Sequence, residues 1–231
     1  MTGSAPRTKH HLSTREFVAL ATARLSLDLP EALTDPNVIL WHGDLDAEPV
    51  VMAAIATEPP SRMAAVLVSI IARAEPTVLF TQRTGHLGDH AGQVSFPGGK
   101  IDPGDVSPVA AALREADEEI ALNRRFVEPI GYLDVQITPS GFRILPTVAR
   151  VREGFVARVR EGFAVQVNRG EVEDAFEVPL AFLMDSKNYR CESADWNGLT
   201  VTVYAIPFNG RSIWGVTAGI LRNLWERIYR D

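Results

Sequence analysis

The 231-residue sequence holds one cysteine, Cys191, which excludes an internal disulfide framework and fits a reducing compartment. It has no run of about 18 apolar residues, the length a membrane-spanning helix needs, and the opening MTGSAPRTKHHLSTREF lacks the apolar stretch of a secretory signal. Cytoplasm is the expected location, with no membrane partner. Basic residues are scarce: 23 Lys and Arg against 29 Asp and Glu give a formal net charge of -6. Nucleic acid, which is held mainly by phosphate contacts to a basic surface, is therefore not an expected partner, whereas a small molecule is. Internal repeats and low-complexity linkers are also missing. What is there, 46% hydrophobic, suffices for one sizeable core.

The pattern predicts mixed strands and helices. A helix over STREFVALATARLSL is expected from the cap at Ser13 or Thr14, Glu16 in the first turn, and Phe17, Leu20, Ala21 and Leu25 at helical spacing. VILW, from Val38, is a candidate short strand. RMAAVLVSIIA and PTVLFTQRT read as adjacent strands, and GHLGDHAGQVSFPGG, rich in glycine, as irregular. RRFVEPIGYLDVQIT, FRILPTVARV, FAVQV, NYRCES and LTVTVYAIPF read as further strands, and the Ile220, Leu224, Ile228 spacing as a terminal amphipathic helix that serves as core or dimer contact. The acidic segment NRGEVEDAFEVPLAFLMD receives no element. Such a mixture predicts a layered α/β or α+β domain.

The stretch FPGGKIDPGDVSPVAAALREADEEI carries the chemistry. Ser107 as cap, Pro108 at the first helical position and the alanines at 110, 111, 112 and 116 predict a helix. Positions i, i+3 and i+4 share one helix face, so Glu115, Glu118 and Glu119 form one acidic cluster. Like charges at that spacing destabilise a bare helix by a few tenths of a kcal/mol per pair, and Arg114 offsets only part of this. A solvated acidic face is the bland reading. The preceding Gly98 and Gly99, which allow close backbone approach, favour a hard divalent cation bridging carboxylates to phosphate.

These residues resemble the signature of the Nudix hydrolases, which cleave a nucleoside diphosphate linked to another group. Gly99, Arg114, Glu115, Ala116, Glu118, Glu119 and Leu122 match the pattern. The glycine-to-arginine spacing is one residue longer than usual, the isolated acid is Asp105, one position displaced, and Ala121 stands where glycine is common. That longer spacing, together with the upstream LFTQRTGHLGDHAGQVSFPGG of residues 79–99, is similar to the coenzyme A pyrophosphatase subgroup. There an arginine commonly follows the leucine at the position of Leu87; here Gly88 does. The likeness runs over roughly residues 60–229.

The resemblance implies a Nudix α/β/α sandwich with a mixed β-sheet, in the α/β class. Residues 1–45 are expected to be an N-terminal extension whose helix packs on the core, and residues 46–231 the Nudix domain. The cofactor implied is Mg²⁺ or Mn²⁺. Glu115 and Glu119 are the expected metal ligands, Glu118 a third ligand or the base that activates water, and Gly99 or Gly98 a backbone contact to metal or substrate. Arg114 joins the catalytic set as the residue that orients the acids. Arg83 and Lys100, with Arg143 as a further candidate, are expected to meet substrate phosphates, arginine being suited to bidentate phosphate binding. Glu171, Glu173, Asp174 and Glu177 are candidates for one acidic helper. Asp102 and Asp105 suit the helix dipole with or without a catalytic role. His86 and His90 lie in the glycine-rich loop with no cysteine beside them, which disfavours zinc, and Ser95 lacks a nucleophile-elbow setting.

The reaction implied is hydrolysis of the diphosphate in coenzyme A or its derivatives. The alternatives are a broader hydrolase acting on ADP-ribose or NADH, motivated by Gly88, and a non-catalytic nucleotide-binding regulator on the same fold. A homodimer is a candidate assembly.

Overall fold

The computed structural model describes residues 11–35, 37–38, 62–84, 92–138, 141–152, 172–196 and 198–230. The expected strands at VILW and FAVQV fall wholly or largely outside these, as do Gly88, His86, His90 and Glu171.

The chain opens with α1 (Thr14–Arg24) and a single turn, α2 (Glu31–Thr34). Ser13 and Glu16 close a reciprocal capping box at the start of α1, as the sequence suggested. The main sheet is built on β1 (Arg62–Ile71), paired in parallel along its whole length with β7 (Phe142–Val151). Both are nearly continuous apolar runs, the pattern of strands covered on both faces.

The other edge of β1 is shared. Its C-terminal end pairs with β2 (Thr77–Arg83) at Ile70 and Ile71, and its N-terminal half pairs with β4 (Gly98–Lys100). β1 and β2 thus diverge, and the glycine-rich segment fills the gap: β3 (Val94–Ser95) bonds to β2 while β4 bonds to β1. The segment expected to be irregular contains two short strands because backbone groups between diverging strands need partners. β5 (Val127–Tyr132) and β6 (Gln136–Ile137) pair with β7, and β8 (Val172–Pro179) pairs with β2. β8 is the acidic segment that received no element. Its alternation is masked by charged residues, and the pairing with β2 decides its structure.

A helical turn, α4 (Leu180–Leu183), leads to a second antiparallel sheet of β9 (Arg190–Trp196), β10 (Leu199–Phe208) and β11 (Arg211–Trp214), then α5 (Val216–Ile228).

Between β4 and β5 lies α3 (Pro108–Ile120). Its buried Ala111, Ala112, Ala116 and Ile120 pack on Ala65, Leu67, Ile71 and Leu79. Small alanines let this helix sit close to the sheet. The opposite face, with Val68, Ile70, Val78 and Phe80, packs against α1 and α5 through Phe17, Ala21, Ile220, Leu221 and Leu224. The result is an α/β/α sandwich around a mixed sheet. Arg24 fastens α1 to the end of α5 by donating to the carbonyls of Ile228 and Arg230, both at 2.9 Å. Among the described residues no helix is long and apolar enough to cross a membrane.

Candidate active site

The site is assembled where α3 meets β4. Ser107 caps α3 through the Ala110 amide at 3.1 Å, and the hydroxyl of Tyr132, at the end of β5, accepts from the Val109 amide. Two of the donors that a helix leaves open at its N-terminus are thereby satisfied. At the far end Ala121 takes the left-handed conformation, φ 53°, and the Leu122 amide reaches the Ala116 carbonyl at 3.2 Å, the closure usually made with glycine.

The three glutamates differ sharply in setting. Glu119 is 3% exposed, and its Oε2 accepts the Gly98 amide at 3.1 Å. Glu115 is half-buried and Glu118 exposed, with side-chain exposures of 18% and 57%. Gly98 has φ 150°, and a Cβ there would lie 2.4 Å from the Ala65 carbonyl oxygen; one on Gly99 would lie 2.5 Å from the Glu115 carboxyl carbon. Glycine at 98 lets β4 lie close on β1, and glycine at 99 leaves room for the Glu115 carboxylate.

Arg114 is the hub. Its Nε and Nη2 fork the two oxygens of Asp105 at 3.1 and 3.0 Å. Nη1 reaches Glu115 at 2.9 Å and Glu118 at 3.5 Å, and Nη2 also donates to the Lys100 carbonyl. Asp102 stands 3.5 Å from the same guanidinium and shares a reciprocal turn with Asp105. The bond from Arg114 is the chief reason the Asp105 carboxyl titrates below its ordinary range, and the Arg114 guanidinium is correspondingly held in its charged form. The displaced acid of the sequence pattern is therefore the main partner of Arg114.

One guanidinium facing Asp102, Asp105, Glu115 and Glu118 leaves negative charge over. As placed, the acids are not drawn into a cage: among the described residues no three His, Cys, Asp or Glu side chains are close enough to hold an ion together. The donor chemistry nevertheless fits a hard divalent cation, since every side-chain donor is a carboxylate oxygen.

The remaining candidates come from several strands. Lys100, exposed, ends β4, and Arg83, half-buried, ends β2. The Arg83 Nε is buried without a hydrogen-bond partner among the described residues. Arg143 does not fit the expectation of a phosphate contact: it is 2% exposed, and its Nη1 donates to the carbonyls of Ala32 and Val38 at 2.6 and 2.9 Å. Its side chain meets the N-terminal segment, where backbone carbonyls take the place of phosphate oxygens.

Asp174 shares a face of the β2–β8 ladder with Gln82 and with the Phe80–Phe176 pair. There it pairs with Arg211 of β11, which also bonds Gln82 and stacks on Phe176. Leu79, packed under α3, points to the other face. Glu177 is held by Arg73 and Thr77 at the β1–β2 turn. Glu173 is exposed, where the ladder register shifts. The Arg211 contacts had no signal in the sequence, because they join segments far apart in the chain. A surface groove of about 310 Å³ near His11, Glu75 and Ala181 lies by the β1–β2 turn and shares no residue with the site.

Residues 61–193 match the NUDIX domain family. The uncharacterized Nudix hydrolase NudL of Yersinia pestis (strain Pestoides F) is 35% identical over 217 residues, 94% of this chain and 98% of that protein. NudL of Yersinia pseudotuberculosis (serotype O:1b, strain IP 31758) gives the same values. Among solved structures, an Ap4A hydrolase of C. elegans in a binary complex is 19% identical with a TM-score of 0.41, covering 50% of this chain and 79% of that one. The chain belongs to the Nudix hydrolase family. It is a pyrophosphohydrolase acting on nucleoside diphosphate derivatives, and enzymes of this family generally use divalent cations such as Mg²⁺ or Mn²⁺.

Proposed function

We propose that this enzyme hydrolyses the diphosphate of coenzyme A or its derivatives, giving 4'-phosphopantetheine, or its acylated form, and adenosine 3',5'-bisphosphate. The observation that carries this reading is the joined pair of motifs. The upstream stretch similar to the coenzyme A subgroup ends in β3 and β4, which bond β2 and β1, and its Gly98 and Gly99 meet Glu119 and Glu115. The described end of that stretch thus adjoins the acid cluster. Arg83, whose buried Nε has no hydrogen-bond partner among the described residues, and Lys100 supply positive charge for a substrate with several phosphates.

The roles are those the family resemblance implies. Glu115 and Glu119 are assigned as metal ligands, with the Gly99 backbone beside them. Glu118, the most exposed, is assigned as a third ligand or as the base that takes the proton of the attacking water. A bound divalent cation would offset charge on the diphosphate and ease deprotonation of that water. Arg114 touches none of the reacting atoms in this scheme and acts by fixing the acids in place. With Asp174 engaged by Arg211 and Glu177 by Arg73, Glu173 and Glu171 are the candidates for an acidic helper.

The test is product identification by mass after incubation with coenzyme A, acetyl-coenzyme A, ADP-ribose and NADH, each with Mg²⁺, Mn²⁺ or chelator. Metal-dependent release of adenosine 3',5'-bisphosphate from the coenzyme A compounds supports the reading. Cleavage of ADP-ribose or NADH instead favours the broader hydrolase that Gly88 suggests, and overturns the coenzyme A assignment.

A further inference from the structure

Arg143 is a buried charged residue near the start of β7, and its Nη1 donates to the backbone carbonyls of Ala32 and Val38. Burying a guanidinium is costly unless its donors are satisfied, so its presence points to the segment that satisfies them. The Ala32 and Val38 carbonyls belong to residues 31–35 and 37–38 of the N-terminal segment. Ala32 and Leu33 are buried in one apolar cluster with Tyr132, Val135 and Leu145, and Val38, Ile101 and Val109 pack against the same cluster.

Ile101 and Val109 flank the loop that leads into α3. Ile101 follows Lys100, whose carbonyl accepts from Arg114, and its amide bonds the Met63 carbonyl at 3.1 Å. Met63 is itself the cross-strand neighbour of Arg143. Val109 lies in the first turn of α3 and is tied to Tyr132 of the same cluster. Between these two apolar contacts stands Asp105, which forks Arg114, and Arg114 in turn bonds Glu115 and Glu118.

We propose that Arg143 is a positioning residue of the active site: by holding residues 31–35 and 37–38 on the sheet, it backs the 101–109 loop that sets Arg114 and the glutamates. This rests on the assignment of those glutamates as the metal-binding set. It makes the N-terminal segment a working wall of the site rather than an appendage.

The test compares the parent with Arg143→Met, Arg143→Lys and Arg24→Ala by hydrogen exchange of peptides covering residues 101–121 and by Mn²⁺ affinity from the spin resonance of free Mn²⁺. Methionine keeps the apolar volume but donates nothing to the Ala32 and Val38 carbonyls. Arg143→Met is expected to speed exchange across the loop and first turn of α3 and to weaken Mn²⁺ binding by about tenfold, lowering kcat more than it raises KM. Arg143→Lys, which still carries donors, should recover part of both and decides the matter if the methionine variant does not fold. Arg24→Ala loosens α1 from α5 on the opposite face and should lower the melting temperature without either effect. Unchanged exchange and Mn²⁺ affinity in the Arg143 variants, or changes matched by Arg24→Ala, would overturn the proposal. A parent that binds no Mn²⁺ would instead count against the proposed metal set, while the exchange data still decide the role of Arg143.

Discussion

The carboxylate of Glu115 occupies the space that a side chain on Gly99 would need, with its Cδ 2.5 Å from the position of a Cβ there. The crowded atom is the end of a side chain, which can swing away. Gly99→Ala is therefore expected to fold with nearly the parent melting temperature while turnover falls by roughly tenfold or more, because the displaced group is a proposed metal ligand. Gly98→Ala should behave oppositely. Its Cβ would meet the Ala65 carbonyl oxygen at 2.4 Å, backbone that cannot swing, and a loss of about 1–3 kcal/mol is expected. Thermal melts beside steady-state rates check the pair.

Glu119 is the most buried of the three acids, and the Gly98 amide is one partner of its carboxylate. In Glu119→Gln an amide oxygen can still accept that bond, so the fold should persist while the charge is lost. Turnover is expected to fall by about 10³-fold with an unchanged circular-dichroism spectrum. Turnover at the parent level would remove Glu119 from the catalytic set.

The Asp105–Arg114 fork predicts a pH dependence. The folded-state pKa of Asp105 is depressed, chiefly by the bond from Arg114. Its stabilisation is thus fully present above the unfolded value of about 3.9 and is lost as pH falls through the lower folded value. Urea unfolding of the parent and Asp105→Asn should differ at neutral pH and converge on acidification below about 4. At neutral pH the variant should also be slower by roughly tenfold, since Arg114 loses the partner that aims it.

Ala121 closes α3 with φ 53°, where a Cβ is unfavourable and glycine is not. Ala121→Gly is expected to stabilise the protein by about 1 kcal/mol with rates unchanged, read as a rise in urea midpoint at constant slope.

Much of the site could be read in the sequence because its parts are local: the Ser107 cap, the Pro108 start and the i, i+3, i+4 acids lie within one helix, and Gly98 and Gly99 stand a short loop away. The residue pattern alone pointed to a layered α/β or α+β domain, and the α/β/α layering followed from the resemblance. What could not be read depends on pairing between distant segments. β8 is a strand because it pairs with β2, although its own residues are acidic, and β3 and β4 exist because β1 and β2 diverge. Arg143 reads as a phosphate contact in sequence and proves to be buried, since which face of β7 meets the N-terminal segment is a tertiary matter. Asp105 was visible as the acid of the pattern, but its fork with Arg114 needed the turn with Asp102 to be seen.

The most direct test of the central claim is the ratio of kcat/KM for coenzyme A to that for ADP-ribose, measured in one Mn²⁺ buffer with the full chain. The coenzyme A assignment predicts a ratio well above one, with both kcat/KM values collapsing in Glu119→Gln. A ratio below one in an active enzyme would contradict it, leaving a Nudix pyrophosphohydrolase whose pocket, with Gly88 in place of arginine, takes a different nucleoside diphosphate.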